Sequence, residues 1–204
     1  MFLMRKCGII LKSMGNDIEK KSILLHSCCG PCSTAVIERL LNDYDITVFY
    51  YNPNITDKAE YEHRLSEEKR FIEEFNQKTG NDVKLIEGRY NPEEFFEAAK
   101  GLESEPEGGA RCAECFKLRL KETAELAQKL GFDCFDTTLT VSPYKNYDVI
   151  SAIGKALAGD SLEYVSGNYK KKEGYKRSIE LSKEYGLYRQ HFCGCVFSER
   201  EAEK

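Results

Sequence analysis

Seven of the nine cysteines lie in three tight groups far apart in the sequence: Cys28, Cys29 and Cys32; Cys112 and Cys115; Cys193 and Cys195. Groups this compact converge in space mainly to bind something. Cys112-x-x-Cys115 follows Gly108-Gly109 and opens a helical pattern. Residues three apart share one helix face, and a helix N-terminus favours thiolate over thiol. That pairing suits an anionic metal–sulfur group. Cys28-Cys29-Gly30-Pro31-Cys32 contains Cys29-x-x-Cys32, the spacing of a thioredoxin-like redox pair. Such a pair leaves Cys28 and the second C-x-x-C without a role. Adjacent cysteines in extended chain point to opposite sides, so ligation by both Cys28 and Cys29 requires the tight loop that Gly30-Pro31 supplies. Cys193-Gly194-Cys195 is too closely spaced for an ordinary structural disulfide; such a pair cycles between dithiol and disulfide or clamps a metal. Four thiolates would hold tetrahedral zinc as readily as an iron–sulfur cluster, and spacing does not separate the two. Cys7 and Cys134 read as a tail and a strand residue without chemistry.

These groups need a frame. Ser22–Ser27 is an apolar run that stops at Cys28, after which Ser33 is placed to cap a helix with Val36, Ile37, Leu40 and Leu41 on one face. Ile46–Tyr51 reads as a buried strand, ended by Asn52-Pro53-Asn54. A long charged helix over Lys58–Thr79 follows, then a strand over Val83–Ile86. Helices are expected over Pro92–Lys100 and Ala113–Leu130, a strand over Cys134–Leu139, and a helix over Tyr147–Leu157. A short strand over Leu162–Val165 precedes a helix over Tyr175–Tyr185. Strands separated by helices of this length pair in parallel, which predicts an α/β layered sheet in a single domain over 21–204. Residues 1–20 read as an irregular N-terminal extension. In such sheets ligands bind outside the carboxyl ends of the strands, which places Cys28, Asn52 and Thr137–Thr140 on one rim.

Composition narrows the class. The chain has 204 residues, 41% hydrophobic and 31% charged, enough for one substantial core without disulfide staples. No stretch approaches the ~20 apolar residues of a membrane span. The start, MFLMRKCGIILKSMG, carries Arg5, Lys6 and Lys12 and no small-residue cleavage site. The expectation is a cytoplasmic protein, where clustered thiols are metal sites or redox centres. A net charge of −4 argues against a surface coated in base but leaves room for a local basic stripe. Tyr169-Lys170-Lys171-Lys172 with Lys176 and Arg177 is the clearest one, and Tyr169 and Tyr175 are spaced to stack on bases between the cations.

Taken together and in order, HSCCGPCS, YYNPNI followed by EYEHR, EGGARCAECFKLRL, TTLTVSPYKN and YKKKEGYKRSIELSKEYGLYRQHFCGCVFS resemble the QueH-type epoxyqueuosine reductases, from about residue 22 to residue 198. The resemblance implies the fold of adenine-nucleotide α-hydrolases (HUP-like) and the removal of the epoxide oxygen from epoxyqueuosine in tRNA, without cobalamin. It also implies a [4Fe–4S] cluster with Cys28, Cys29, Cys112 and Cys115 as ligands, and a reactive pair at Cys193 and Cys195. An additional iron is the alternative to a redox-active pair there, and Cys32, Cys193 and Cys195 are the further metal ligands. ATP-dependent enzymes of this fold carry an S-G-G-x-D-S phosphate loop after the first strand; Cys28–Cys32 stands in its place, so nucleotide hydrolysis is not expected. Substrate contacts are expected from Asn52, Asn54, Ser142 and Lys145, with Lys170, Lys171 and Lys172 on tRNA phosphates. Lys145, Tyr144 and Tyr51 are the candidate proton sources, while His26 and His191 read as structural. The reaction also needs an electron donor, which no motif identifies. The competing classes are a zinc-binding structural module and a thioredoxin-like thiol–disulfide oxidoreductase using Cys29 and Cys32.

Overall fold

Ile23, Leu24 and Leu25 are all buried, but Ile23 and Leu25 enter one apolar layer and Leu24 the other. That two-sided burial belongs to the central strand of a parallel sheet. The computed structural model of the protein describes residues 20–160 and 162–198; Cys7 and the expected extension up to residue 19 lie outside them. Five strands, β1 (Lys21–Ser27), β2 (Tyr44–Tyr50), β3 (Lys84–Glu87), β4 (Cys134–Thr137) and β5 (Glu163–Tyr164), form one sheet in the order β3-β2-β1-β4-β5. Every pairing is parallel. Helices α1 (Gly30–Leu40), α2 (Lys58–Thr79) and α6 (Gly174–Glu184) supply one layer through Val36, Ile37, Phe71 and Leu181. Helices α4 (Ala110–Leu130) and α5 (Tyr147–Leu157) supply the other through Phe116, Leu120 and Ile150. Helix α3 (Pro92–Ala99) packs Phe95 beside Cys115 and Cys195.

The strand order reverses between β1 and β4. In open α/β sheets the crevice beyond the carboxyl ends at that point is the ligand site. Here it lies between the Cys28–Cys32 turn after β1 and the 3-10 turn Thr138–Val141 after β4.

Three local expectations change. The N-cap of α1 is Cys29, not Ser33; Ser33 lies inside the first turn and its hydroxyl donates to the Cys29 carbonyl at 3.2 Å. Pro31 near the helix start explains the shift, since its missing N–H costs nothing there. Helix α4 starts three residues before the expected Ala113, so Cys112 sits within its first turn. The expected strand over Cys134–Leu139 stops at Thr137, where the Thr137 hydroxyl accepts the Leu139 N–H and turns the chain.

Candidate metal centre

The turn after β1 gathers the first cysteine group. Cys28 and Cys29 Sγ lie 3.8 Å apart, and the sulfurs of Cys28, Cys29 and Cys32 all lie within 4.8 Å of one another. Cys29 accepts a hydrogen bond from Gln190 Nε2 at 2.9 Å, and the Thr138 hydroxyl donates to Cys28 Sγ at 3.8 Å. Hydrogen bonds from the Cys29 and Cys32 thiols hold Cys28 well below the usual thiol range, and the Lys145 and Arg119 cations add to this against burial.

The second and third groups meet each other. Cys112 and Cys115 stand on one face of α4, and together with Cys193 and Cys195 they line a small cavity of about 30 Å³. The Gly108 N–H donates to Cys112 Sγ at 3.2 Å, and the Ser198 N–H to Cys195 Sγ at 3.4 Å. Burial pushes the Cys115 thiol up to about 12 and the Cys195 thiol up to about 11. Without a metal these are thiols; a bound metal would displace their protons.

The segment carrying Cys193 and Cys195 is clamped from α2 and from the loop after β2. Arg64 donates to the carbonyls of Cys193 at 3.2 Å and Phe192 at 3.3 Å, and Asn54 to that of Cys193 at 3.4 Å. The Thr56 N–H bonds the Gly194 carbonyl at 3.0 Å. Gly194 has φ +108, and a Cβ there would come within 2.8 Å of Ile55. Only glycine fits between the two cysteines.

A larger cavity of about 590 Å³ opens beside the trio, with Asn52, Asn54, Ser142 and Lys145 on its wall. Cys193 faces both cavities, as do Lys145 and Tyr144. Asn52 and Asn54 are buried, with Oδ1 atoms that have no hydrogen-bond partner. Burial alone would lower the Lys145 ammonium; the neighbouring Cys193, Cys28 and Cys32 sulfurs raise it above its usual range. Arg119, also buried, stands among Cys115, Cys193, Cys28 and Cys112. Cys112 packs against the apolar cluster that contains Cys28 and Cys29, and Cys193, on the walls of both cavities, links the three cysteine groups.

Some expected residues belong elsewhere. Tyr51 is not at the rim; it is fully buried and its hydroxyl donates to Glu94. Tyr169 cannot stack on a base, because its ring is buried and its hydroxyl donates to Asp136 at 2.6 Å. Lys170 is half-buried with Nζ on the Lys145 carbonyl at 3.2 Å, whereas Lys171 and Lys172 are exposed. His26 is structural: Nε2 faces the Tyr51 carbonyl at 3.1 Å and so carries the proton, leaving Nδ1 to accept from Thr137 at 2.9 Å. Burial lowers it to about 3. Cys134 is buried in β4 with its thiol on the Ser22 carbonyl. Sequence reasoning missed Arg119 and Gln190. Arg119 had a signal, since it follows Cys115 by four residues on the same helix face; Gln190, in an irregular segment, had none.

The geometry can be set beside known proteins. The family model described as Epoxyqueuosine reductase QueH matches residues 23–201. A protein of Streptococcus pyogenes serotype M1 named epoxyqueuosine reductase QueH is 44% identical over 196 residues, spanning 94% of this chain and 77% of that protein. Its namesake in Staphylococcus epidermidis is 43% identical, spanning 93% of this chain and 81% of the relative. The one in Thermotoga maritima is 35% identical, spanning 87% and 90%. Among solved structures, the U34-tRNA thiolase NcsA from Methanococcus maripaludis, determined with its [4Fe–4S] cluster, superposes with a TM-score of 0.52 at 14% identity. That match covers 94% of this chain and 68% of the thiolase, a likeness of fold.

Proposed function

The chain belongs to the epoxyqueuosine reductase QueH family, and on that premise we propose that the shared cysteine rim is where it takes the epoxide oxygen from epoxyqueuosine in tRNA and leaves the alkene of queuosine. The observation that carries this reading is the meeting of three sequence-distant cysteine groups beside a cavity of about 590 Å³ at the point where the strand order reverses. That volume is ample for one modified base.

The donor set fits a [4Fe–4S] cluster. Such clusters take thiolate ligands, and two buried or half-buried cations, Arg119 and Lys145, offset the charge of an anionic group here. Cys28 and Cys29 from the end of β1 and Cys112 and Cys115 from the start of α4 would hold it, with Cys32 as the alternative ligand. When bound, it supplies electrons one at a time.

Epoxide to alkene consumes two electrons and two protons and releases water. Cys193, facing both cavities, pairs with Cys195 to store or supply a further equivalent. Lys145, whose ammonium the neighbouring sulfurs favour, can donate to the oxygen as its carbon bond breaks. The unpartnered Oδ1 atoms of Asn52 and Asn54 can accept from the ring hydroxyls, and Ser142 offers a third polar contact. Exposed Lys171 and Lys172 supply phosphate contacts for tRNA.

One observation favours a different metal group. Four thiolates around a single ion at ~2.3 Å stand about 3.8 Å apart, and Cys28 and Cys29 show that separation. A single iron on the Cys28, Cys29 and Cys32 trio, in place of cluster ligation there, is therefore the second reading. The test of both is iron and sulfide analysis of anaerobically prepared protein beside its Cys112→Ala variant. Iron with acid-labile sulfide and a brown absorbance is expected, each reduced in Cys112→Ala. A colourless zinc protein would favour a structural module, and full cluster occupancy in Cys112→Ala would remove that cysteine from the ligand set.

A further inference from the structure

Arg119 is 1% exposed, yet among the described residues no carboxylate forms an ion pair with it. Its Nε donates to the Cys115 carbonyl at 3.3 Å, one turn back on its own helix, and its guanidinium lies over the Phe116 ring at 5.7 Å. These contacts fix the side chain and leave Nη2 buried with no hydrogen-bond partner. The sulfurs of Cys115, Cys193, Cys28 and Cys112 all act on the cation electrostatically, and Cys28, Cys193 and Glu107 line the cavity it borders. The Asn52 and Asn54 side chains also line the cavity it borders, each spending its amide N–H elsewhere, on the Ser27 carbonyl and on Cys193. A guanidinium taken out of water without an anion is strongly unfavourable, and a fork of donors aimed at nothing adds the loss of its hydrogen bonds. A buried cation with an open donor is suited to receive an anion bound beside it.

The placement follows from helix geometry. Cys112, Cys115 and Arg119 are spaced three and four apart, so one face of α4 presents two ligands and, one turn below them, a cation. Cys28, from the other ligand pair, lines the same cavity as Arg119.

We infer that Arg119 is a positioning residue that donates its free Nη2 hydrogen bond to the anionic metal–thiolate group held between Cys28/Cys29 and Cys112/Cys115, and thereby raises the reduction potential of that group. This rests on the cluster reading above. A hydrogen bond and a positive charge both stabilise the more negative, reduced state, which is one of the levers by which a protein sets a cluster's potential. Arginine rather than lysine suits the task, because its planar fork can hold one donor on a backbone carbonyl and aim another into the site.

The experiment is a potentiometric titration of anaerobically loaded protein followed by electron paramagnetic resonance, for the wild type, Arg119→Lys and Arg119→Gln. Iron per chain and thermal unfolding of the iron-free proteins are measured alongside. The midpoint is expected to move to more negative potential in Arg119→Gln, with Arg119→Lys recovering part of the shift. If Arg119→Gln fails to load while its iron-free fold melts as the wild type does and Arg119→Lys loads, the cation is shown to serve the metal group. Equal midpoints in the loaded proteins would overturn the inference, as would iron-free variants that both unfold well below the wild type, the mark of a merely structural arginine. A wild type that binds no iron would instead remove the cluster reading on which the inference stands.

Discussion

At the scale of residues, chemistry was legible where type and spacing coincide. Asn52, Asn54, Ser142 and Lys145 line one cavity with Cys28, Cys32 and Cys193, and Cys193 also lines a smaller one with Cys112, Cys115 and Cys195. Side-chain direction was not legible. Tyr51 and Tyr169 look like rim aromatics in the sequence, but the pleat turns Tyr51 toward Glu94 and the loop after β5 folds Tyr169 onto Asp136. A one-residue step along a strand reverses the face a side chain occupies, and no pattern in a six-residue run fixes where the strand ends. The division of labour among the cysteines gives a prediction at this scale. Changing both Cys193 and Cys195 to Ser should leave the visible spectrum of the cluster in place and reduce turnover at least tenfold, since the role proposed for the pair is chemistry rather than ligation. A spectrum lost together with turnover would make them ligands, and turnover at the wild-type rate would make them incidental.

Elements were read more reliably than their ends. The long charged helix over Lys58–Thr79 and the helix over Tyr147–Leu157 stand where periodicity put them. The starts of α1 and α4 did not, because capping there rests on backbone geometry rather than on a side-chain cap. Helix α2 also does something its sequence conceals. Its Glu68 is fully buried beneath the β1–α1 turn, accepts from the Ser27 hydroxyl at 2.9 Å, and is pushed up by burial to about 7. Ser27 and Ser33 share a 2.6 Å hydrogen bond above it, so the carboxyl braces the turn that carries the first cysteine group. The folded pKa lies above the ordinary 4.5, so the folded state binds this proton more tightly than the unfolded chain. The contribution is complete below pH 4.5 and is lost as pH rises through about 7. Glu68→Gln, which cannot ionise, should lose that slope and gain on the order of 1–3 kcal/mol relative to the wild type above pH 7. Thermal unfolding of both proteins between pH 5 and 8 checks this; parallel curves would show that Glu68 is ionised throughout.

For the whole molecule, alternating helical and strand patterns were enough to predict a parallel layered sheet, and the crossover rules then place the site at the reversal of strand order. Among the described residues no helix is long and apolar enough to cross a membrane. The net charge of −4 says little about tRNA, because charge acts locally. Arg177 is spent on Glu38 and Glu180, while Lys171 and Lys172 remain exposed and Lys170 ties their segment to the Lys145 carbonyl beside the cavity. Reversing the charge of Lys170, Lys171 and Lys172 should weaken binding to an epoxyqueuosine-containing tRNA and lower the salt slope by about one unit per lost phosphate contact. Iron content should not change. Unaltered affinity and slope would move the tRNA surface elsewhere on the molecule.

The central claim is that the meeting point of the three cysteine groups reduces the epoxide. Its most direct measurement is a single turnover: iron-loaded protein, chemically reduced without oxygen, is mixed with epoxyqueuosine-containing tRNA, and the digested nucleosides are weighed by mass spectrometry. Queuosine, lighter by one oxygen atom, is expected from the loaded protein and none after chelation of its iron. Equal conversion by the iron-free protein, or no conversion by a fully loaded and reduced one, would contradict it.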